Sequence, residues 1–176
     1  MGFPLETERL LIRPVAPEDA GDLHEAYGDP EVMRIIPGGA SESLEATQRR
    51  LQKLIEHQNE HGFSMWSVVE KESGKVIGVC GLILVEGKGP DIEVAYQFAR
   101  AHWGKGHATE AARECIRFGL EELMLAGIVG MTIPTHIASR RVMEKAGMTY
   151  EGTGRFYNRD MVLYAASGGP PVHSRE

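Results

Sequence analysis

Two stretches of this chain carry residue types able to do chemistry. The first is Trp103-Gly104-Lys105-Gly106-His107-Ala108, set between a strand pattern ending at Phe98 and a helical pattern opening near Thr109. Two glycines and an alanine let backbone approach a ligand closely. The first amides of the following helix have no intrahelical partner, and the helix dipole favours negative charge beside them. A diphosphate is the natural occupant, with Lys105 adding a point charge. The dinucleotide pattern G-x-G-x-x-G fails because Thr109 holds the third glycine position, and the triphosphate-binding pattern fails because no Gly-Lys-Ser/Thr is present. What remains is a diphosphate ligand such as coenzyme A, or a tight packing corner. The second stretch, Ile92-Glu93-Val94-Ala95-Tyr96, leads into that turn. Strand alternation puts Asp91, Glu93 and Ala95 on one face and Ile92, Val94 and Tyr96 on the other. Glu93 therefore reads either as a working carboxylate or as an acid on a solvated face.

The elements that must position these residues alternate without a linker. Leu10 to Pro14 reads as a short strand stopped by proline, and Pro17-Glu18-Asp19 opens a first helix. Ser41 to His61 has apolar residues at three-to-four spacing, with Gly62 as its stop. Strands follow at 63–70, 75–85 and 91–98, joined by short loops of hairpin type. Thr109 to Leu125 is amphipathic, and its inner stripe (Ala108, Ala111, Ala112, Cys115, Ile116, Gly119, Leu123) is small enough to lie close on a sheet. A strand at 128–134, a helix at 137–146 and strands at 148–152 and 161–164 complete the pattern. The result is one mixed α/β domain over residues 1–166. Residues 167–176 read as a disordered tail.

These quoted runs, with HIASRRVMEKAGM at 136–148, resemble the GNAT superfamily of N-acetyltransferases over residues 5–164. The opening at 5–34 resembles its Rim-type branch, which acetylates ribosomal-protein N-terminal amines. The resemblance implies a central mixed, mostly antiparallel sheet of about seven strands flanked by about four helices. It also implies acetyl-CoA as acyl donor, with no metal. By that likeness the cofactor-binding residues are Phe98, Trp103, Gly104, Lys105, Gly106, His107, Ala108, Thr109, His136 and Ser139. The pantetheine arm of the cofactor would lie between the strand ending at Phe98 and the next parallel strand, where the two splay apart. Trp103 replaces the family's usual polar residue, His136 its asparagine and Met143 the tyrosine that many members use as acid. Methionine cannot donate a proton, so Ser139 becomes the candidate acid and Glu93 the candidate base.

Residue chemistry says how strong that base must be. Holding an α-amine neutral at pH 7 costs about 1 kcal/mol, whereas a lysine ε-amine costs roughly 4.6 kcal/mol. A weakly placed carboxylate working through water serves the first case more easily, in keeping with the N-terminal α-amine of a protein, the acceptor that the Rim-type resemblance implies. A small-molecule amine is the alternative acceptor, and a non-catalytic acyl-CoA sensor the alternative role. Arg13, Glu31 and Arg34 are candidates for the substrate mouth, and Tyr157, Asn158 and Arg159 for a loop near the acceptor. His57 and His61 share a helix face without a third ligand, so a solvated face is the reading there.

Composition narrows the partners. The 25 acids against 19 Lys and Arg leave a net charge of −6, which opposes nucleic-acid binding. The longest apolar run, residues 76–85, is half of what a membrane span needs. Cys80 and Cys115, far apart in apolar surroundings, with no apolar leader at the N-terminus, suit a cytoplasmic protein. Homodimers recur in the family, and nothing in the sequence decides whether this chain forms one.

Overall fold

The computed structural model describes residues 2–167. Eight strands form one sheet in the order β1-β2-β3-β4-β5-β6-β8-β7. They are β1 (Leu5–Glu6), β2 (Leu10–Pro14), β3 (Met65–Glu70), β4 (Val76–Leu84), β5 (Ile92–Phe98), β6 (Gly127–Thr132), β7 (Thr149–Phe156) and β8 (Arg159–Ser167). The extra strand over the expected seven is β1, two residues too short to show a period, which pairs Leu5 with Ile12. β8 runs through Ser167, one residue into the stretch read as a tail, whose other residues lie outside the described ones.

Four helices flank the sheet: α1 (Ala20–Tyr27), α2 (Leu44–His61), α3 (His107–Glu121) and α4 (Ile137–Lys145). α2 begins later than expected because Ser43, not Ser41, caps it, its Oγ accepting from the Ala46 amide at 3.1 Å. Gly62 ends it in the left-handed conformation that favours glycine. α3 starts two residues before Thr109 because Gly106, at φ +83°, turns the chain into it.

The sheet separates two cores. α1 and α2 cover one face with Ala20, Leu23, Tyr27 and Leu51 over Met65, Val76 and Val79. α3 and α4 cover the other, over Trp66, Cys80, Leu82, Val94 and Ile128. The small stripe of α3 sets its distance from the sheet, since a Cβ at Gly119 would stand 2.6 Å from Ile128 Cδ1. Cys80 and Cys115 are free thiols buried in this second core. No helix among the described residues is long and apolar enough to cross a membrane.

One joint of the sheet differs from the rest. β4 and β5 pair antiparallel along their length, from Leu84–Ile92 to Gly78–Phe98. β5 and β6 are parallel and share a single registered pair, Glu93 with Val129. Beyond Glu93 the strands part, so main-chain groups of β5 on that side are left without a neighbouring strand.

Candidate active site

Above the parted strands stands the glycine turn. Gly104 and Gly106 adopt φ of +73° and +83°, a region that costs a side chain about 1–2 kcal/mol. Among the described residues, none accepts a hydrogen bond from the peptide N–H groups of residues 104–109. The turn is held from below: Arg9 donates to the Lys105 carbonyl at 2.8 Å and to Glu110 at 2.7 Å. A row of unsatisfied amides at the start of a 15-residue helix, fixed in place, fits a diphosphate.

Side chains in the turn behave differently from their amides. Trp103 Nε1 donates to the Phe98 carbonyl at 2.8 Å, which pins the turn to the end of β5. The residue is otherwise 46 % exposed. His107 is 4 % exposed and its ring faces Glu70 rather than the row of amides. Only the main chain of His107 is therefore available to a ligand above the turn. Phe98 is buried in the core, and Lys105 is exposed.

At the start of α4, His136 Nδ1 accepts from the Ser139 amide at 3.3 Å and caps the helix. Burial, helped by the Arg34 charge, lowers the His136 pKa. The ring is therefore neutral at pH 7, with its proton assigned to Nε2, which is left as a donor. Ser139 Oγ lies 2.9 Å from Tyr96 Oη, whose hydroxyl also reaches the Ser139 carbonyl at 3.1 Å. Burial pushes the Tyr96 pKa well up, so this hydroxyl keeps its proton. Ser139 thus does more than bond its own helix turn: it is half of a hydroxyl pair that strand alternation places across β5 from Glu93. Met143 is core, packed against Gly130, and supplies nothing to the cleft.

Glu93 is not on a solvated face. It is 8 % exposed and lines a cavity of about 330 Å³ shared with Ile35, Ile36, Pro37, His57, Ile83, Leu84, Met131 and Met161. Alternation assigned its face correctly, but that face is covered by the loop after α1 and by the β7–β8 hairpin. Burial raises the Glu93 pKa to about 7 against the pull of a hydrogen bond from Tyr157, and the Glu86 carboxylate adds to the rise. Tyr157 Oη donates to Glu93 Oε2 at 2.6 Å and accepts from the Glu86 amide at 2.9 Å. The Tyr157 amide in turn donates to Glu86 Oε1 at 2.8 Å. A carboxylate that loses its proton near neutrality, in an apolar cavity, is suited to general base catalysis.

Tyr157 was placed near the acceptor by sequence, while its bond to Glu93 was not readable, because 64 residues separate the two. Asp29 and Arg100 were missed altogether. Arg100 Nη2 lies 2.6 Å from Asp29 Oδ1, tying the loop that covers the cavity to the turn before Trp103. Arg13 is bound to Asp19 by two bonds of 2.7 and 2.8 Å and does not line the cavity. Glu31 and Arg34 are not in the cavity wall either, although their charges act on His136. His57 Nδ1 bonds the Phe63 carbonyl at 2.8 Å and its ring packs on His61. His57 is therefore not on the solvated face expected of it: it lines the Glu93 cavity, and its Nε2 is buried.

The family model for the acetyltransferase (GNAT) domain matches residues 9–149. The chain belongs to the GNAT acetyltransferase family. It is 32 % identical over 162 residues to the uncharacterized protein YkkB of Bacillus subtilis, covering 91 % of this chain and 93 % of that one. It is 31 % identical over 163 residues to an Aspergillus fumigatus protein named FsC-acetyl coenzyme A-N(2)-transacetylase, covering 88 % and 68 %. A GNAT-family acetyltransferase structure from Bacillus anthracis superposes with a TM-score of 0.80 at 28 % identity, over 93 % and 97 % of the two chains. This GNAT protein is accordingly an acetyl-CoA-dependent N-acetyltransferase. Its eight-stranded, mostly antiparallel sheet and four helices are the expected fold.

Proposed function

We propose that this acetyltransferase acts on a primary amine carried by an apolar group, and that the acceptor is the N-terminal α-amine of a protein, as in the Rim-type branch. The observation that carries this reading is the position of Glu93 at the wall of an apolar cavity, with a pKa of about 7. An α-ammonium with a pKa near 7.7–8 is within about one unit of that carboxyl. Proton transfer from it to Glu93 is nearly balanced, whereas a lysine ammonium would be uphill by more than three units. The cavity, at about 330 Å³, is at the small end for ligand sites and admits about one apolar residue.

In this mechanism the amides of residues 104–109 hold the diphosphate, and the exposed edge of β5 beyond Glu93 and the free His136 Nε2–H orient the arm. Bound acetyl-CoA supplies the thioester. Glu93 Oε1 takes the proton whose loss makes the amine nucleophilic, with Tyr157 fixing the carboxylate by its hydrogen bond to Oε2. Tyr96 Oη, backed by Ser139 Oγ, holds the proton destined for the departing sulfur. The side chains of Met131 and Met161 and the Ile35–Pro37 wall exclude water from the amine. The sensor reading rested on the replacements at positions 136 and 143, and the buried carboxyl opposite a hydroxyl pair weighs against it.

One observation favours a small amine as the second reading. Residues 35–37 stand over the cavity, and the Arg100–Asp29 pair anchors their loop. A panel separates the two: peptides with free apolar N-termini, the same peptides N-blocked but carrying lysine, small apolar amines, and polyamines. Turnover, read by thiol release and product mass, is expected on the free apolar N-termini. Turnover confined to small amines or polyamines overturns the α-amine reading.

A further inference from the structure

Beneath the phosphate turn lies a group of side chains that the acetyl transfer does not use. Glu70 ends β3, His102 sits in the single 3-10 turn before Trp103, and His107 is the first residue of α3. The ligand atoms of the three lie within 4.8 Å of one another, and among the described residues they are the one such group of His, Cys, Asp and Glu. Glu70 Oε1 is 3.6 Å from His107 Nε2 and 3.9 Å from His102 Nδ1. Neither separation is a hydrogen bond. His102 Nδ1 and His107 Nδ1 are both buried without any hydrogen-bond partner.

We propose that Glu70, His102 and His107 form a binding site for one zinc-type divalent cation that clasps the phosphate turn from below. Two imidazoles and a carboxylate are a recognised zinc donor set, with water completing the tetrahedron. Zinc–ligand bonds of about 2.0–2.1 Å put neighbouring donors about 3.3 Å apart; the two pairs that Glu70 makes, at 3.6 and 3.9 Å, close by a few tenths of an ångström, and the third pair, His102 with His107, lies within 4.8 Å. The carboxylate is already oriented for it. Ser73 Oγ donates to Glu70 Oε2 at 2.6 Å, which leaves Oε1 turned to both rings. Such outer bonds fix ligands in metal sites. Entry is open, since Glu70 and His102 keep 17 % and 16 % of their side-chain surface. Because His102 and His107 bracket residues 103–106, a bound cation joins both ends of the turn to the end of β3.

The experiment titrates chelator-stripped full-length protein with Zn2+ against a chromophoric chelator, and repeats the binding with Co2+ as a spectroscopic probe. One high-affinity ion per chain and Co2+ visible bands of four-coordinate intensity are expected. His102→Ala is expected to weaken binding by more than about 100-fold, since outer partners alone are worth 10–100-fold, while His61→Ala leaves it unchanged. Glu70→Gln is the second variant, should His102→Ala lower the melting temperature in EDTA. Absence of stoichiometric binding, or an affinity that neither His102→Ala nor Glu70→Gln changes, overturns the proposal. Neither result touches the acetyl transfer, which is assayed separately with chelator present.

Discussion

The glycine turn after β5 and the Glu93 cavity beside β5 are built on opposite principles. In the proposed mechanism the turn holds its ligand with main-chain groups of six consecutive residues, 104–109, while neighbouring side chains point elsewhere: Trp103 to the Phe98 carbonyl, His107 to Glu70. The cavity works with side chains from separated segments. The loop after α1, α2, β4, β5, β6 and the β7–β8 hairpin each contribute to it. A site made of amides needs one local conformation, whereas a site made of a buried carboxyl needs its neighbours, because burial is what raises its pKa. The first should tolerate side-chain change and resist backbone change. The second should do the reverse.

Glu93→Gln tests this most sharply. Turnover is expected to fall about 10²–10⁴-fold, the usual worth of a general base, with acetyl-CoA affinity by calorimetry unchanged. The acidic limb of the kcat/KM profile near pH 7 should vanish with it. Stability should move the opposite way. The folded Glu93 pKa of about 7 exceeds the reference of 4.5, so between those values the folded protein binds more protons than the unfolded one. Stability therefore declines as pH rises from about 4.5 to 7. The glutamine variant should lack that decline and melt higher than the parent at pH 8. An unchanged rate would remove Glu93 from the mechanism.

Gly106→Ala probes the other principle. A methyl group at φ +83° is strained, and its Cβ would stand 3.3 Å from Arg9 Nη2. Acetyl-CoA affinity should weaken about 5- to 30-fold if the 1–2 kcal/mol of strain is relieved by moving the turn. The apparent pKa of the rate profile should stay put. Tyr157→Phe removes the hydrogen bond that holds the Glu93 pKa down. The acidic limb should move to higher pH, leaving turnover several-fold down at pH 7 and nearly restored at pH 9. The smallest effect is expected for Lys105→Ala. An exposed cation contributes a screened charge, so KM for acetyl-CoA should rise about threefold or less and the difference should fade in high salt. A larger loss would mean that the turn relies on a side chain after all.

The contrast also explains what was legible in the residues. Gly104 and Gly106 before a helix with a small-residue stripe gave the turn and the close seat of α3, because each depends on neighbours in sequence. Glu93 and Ser139 stand out as candidates in the sequence, but their surroundings do not: alternation assigns a face of a strand without saying what covers it. The Tyr96–Ser139 pair spans 43 residues and Glu93–Tyr157 spans 64. Asp29 and Arg100 stand in ordinary polar loops, and only their closeness makes them a clamp. Met143 had a local signal, since its side chain cannot donate a proton, and its burial agrees.

The mixed, mostly antiparallel sheet came with the family resemblance; from the sequence alone came the alternation of elements, the glycine turn before α3 with its unpaired first amides, and the strand face that carries Glu93. These follow from short-range physics: side-chain period, the φ angles that glycine allows, and unpaired amides at a helix start. Tertiary structure decided the protonation of Glu93, the partner of Ser139, the apolar walls around the amine, and the meeting of Glu70 with two histidines. Those depend on desolvation and on distances between residues far apart in the chain, which only the folded packing sets.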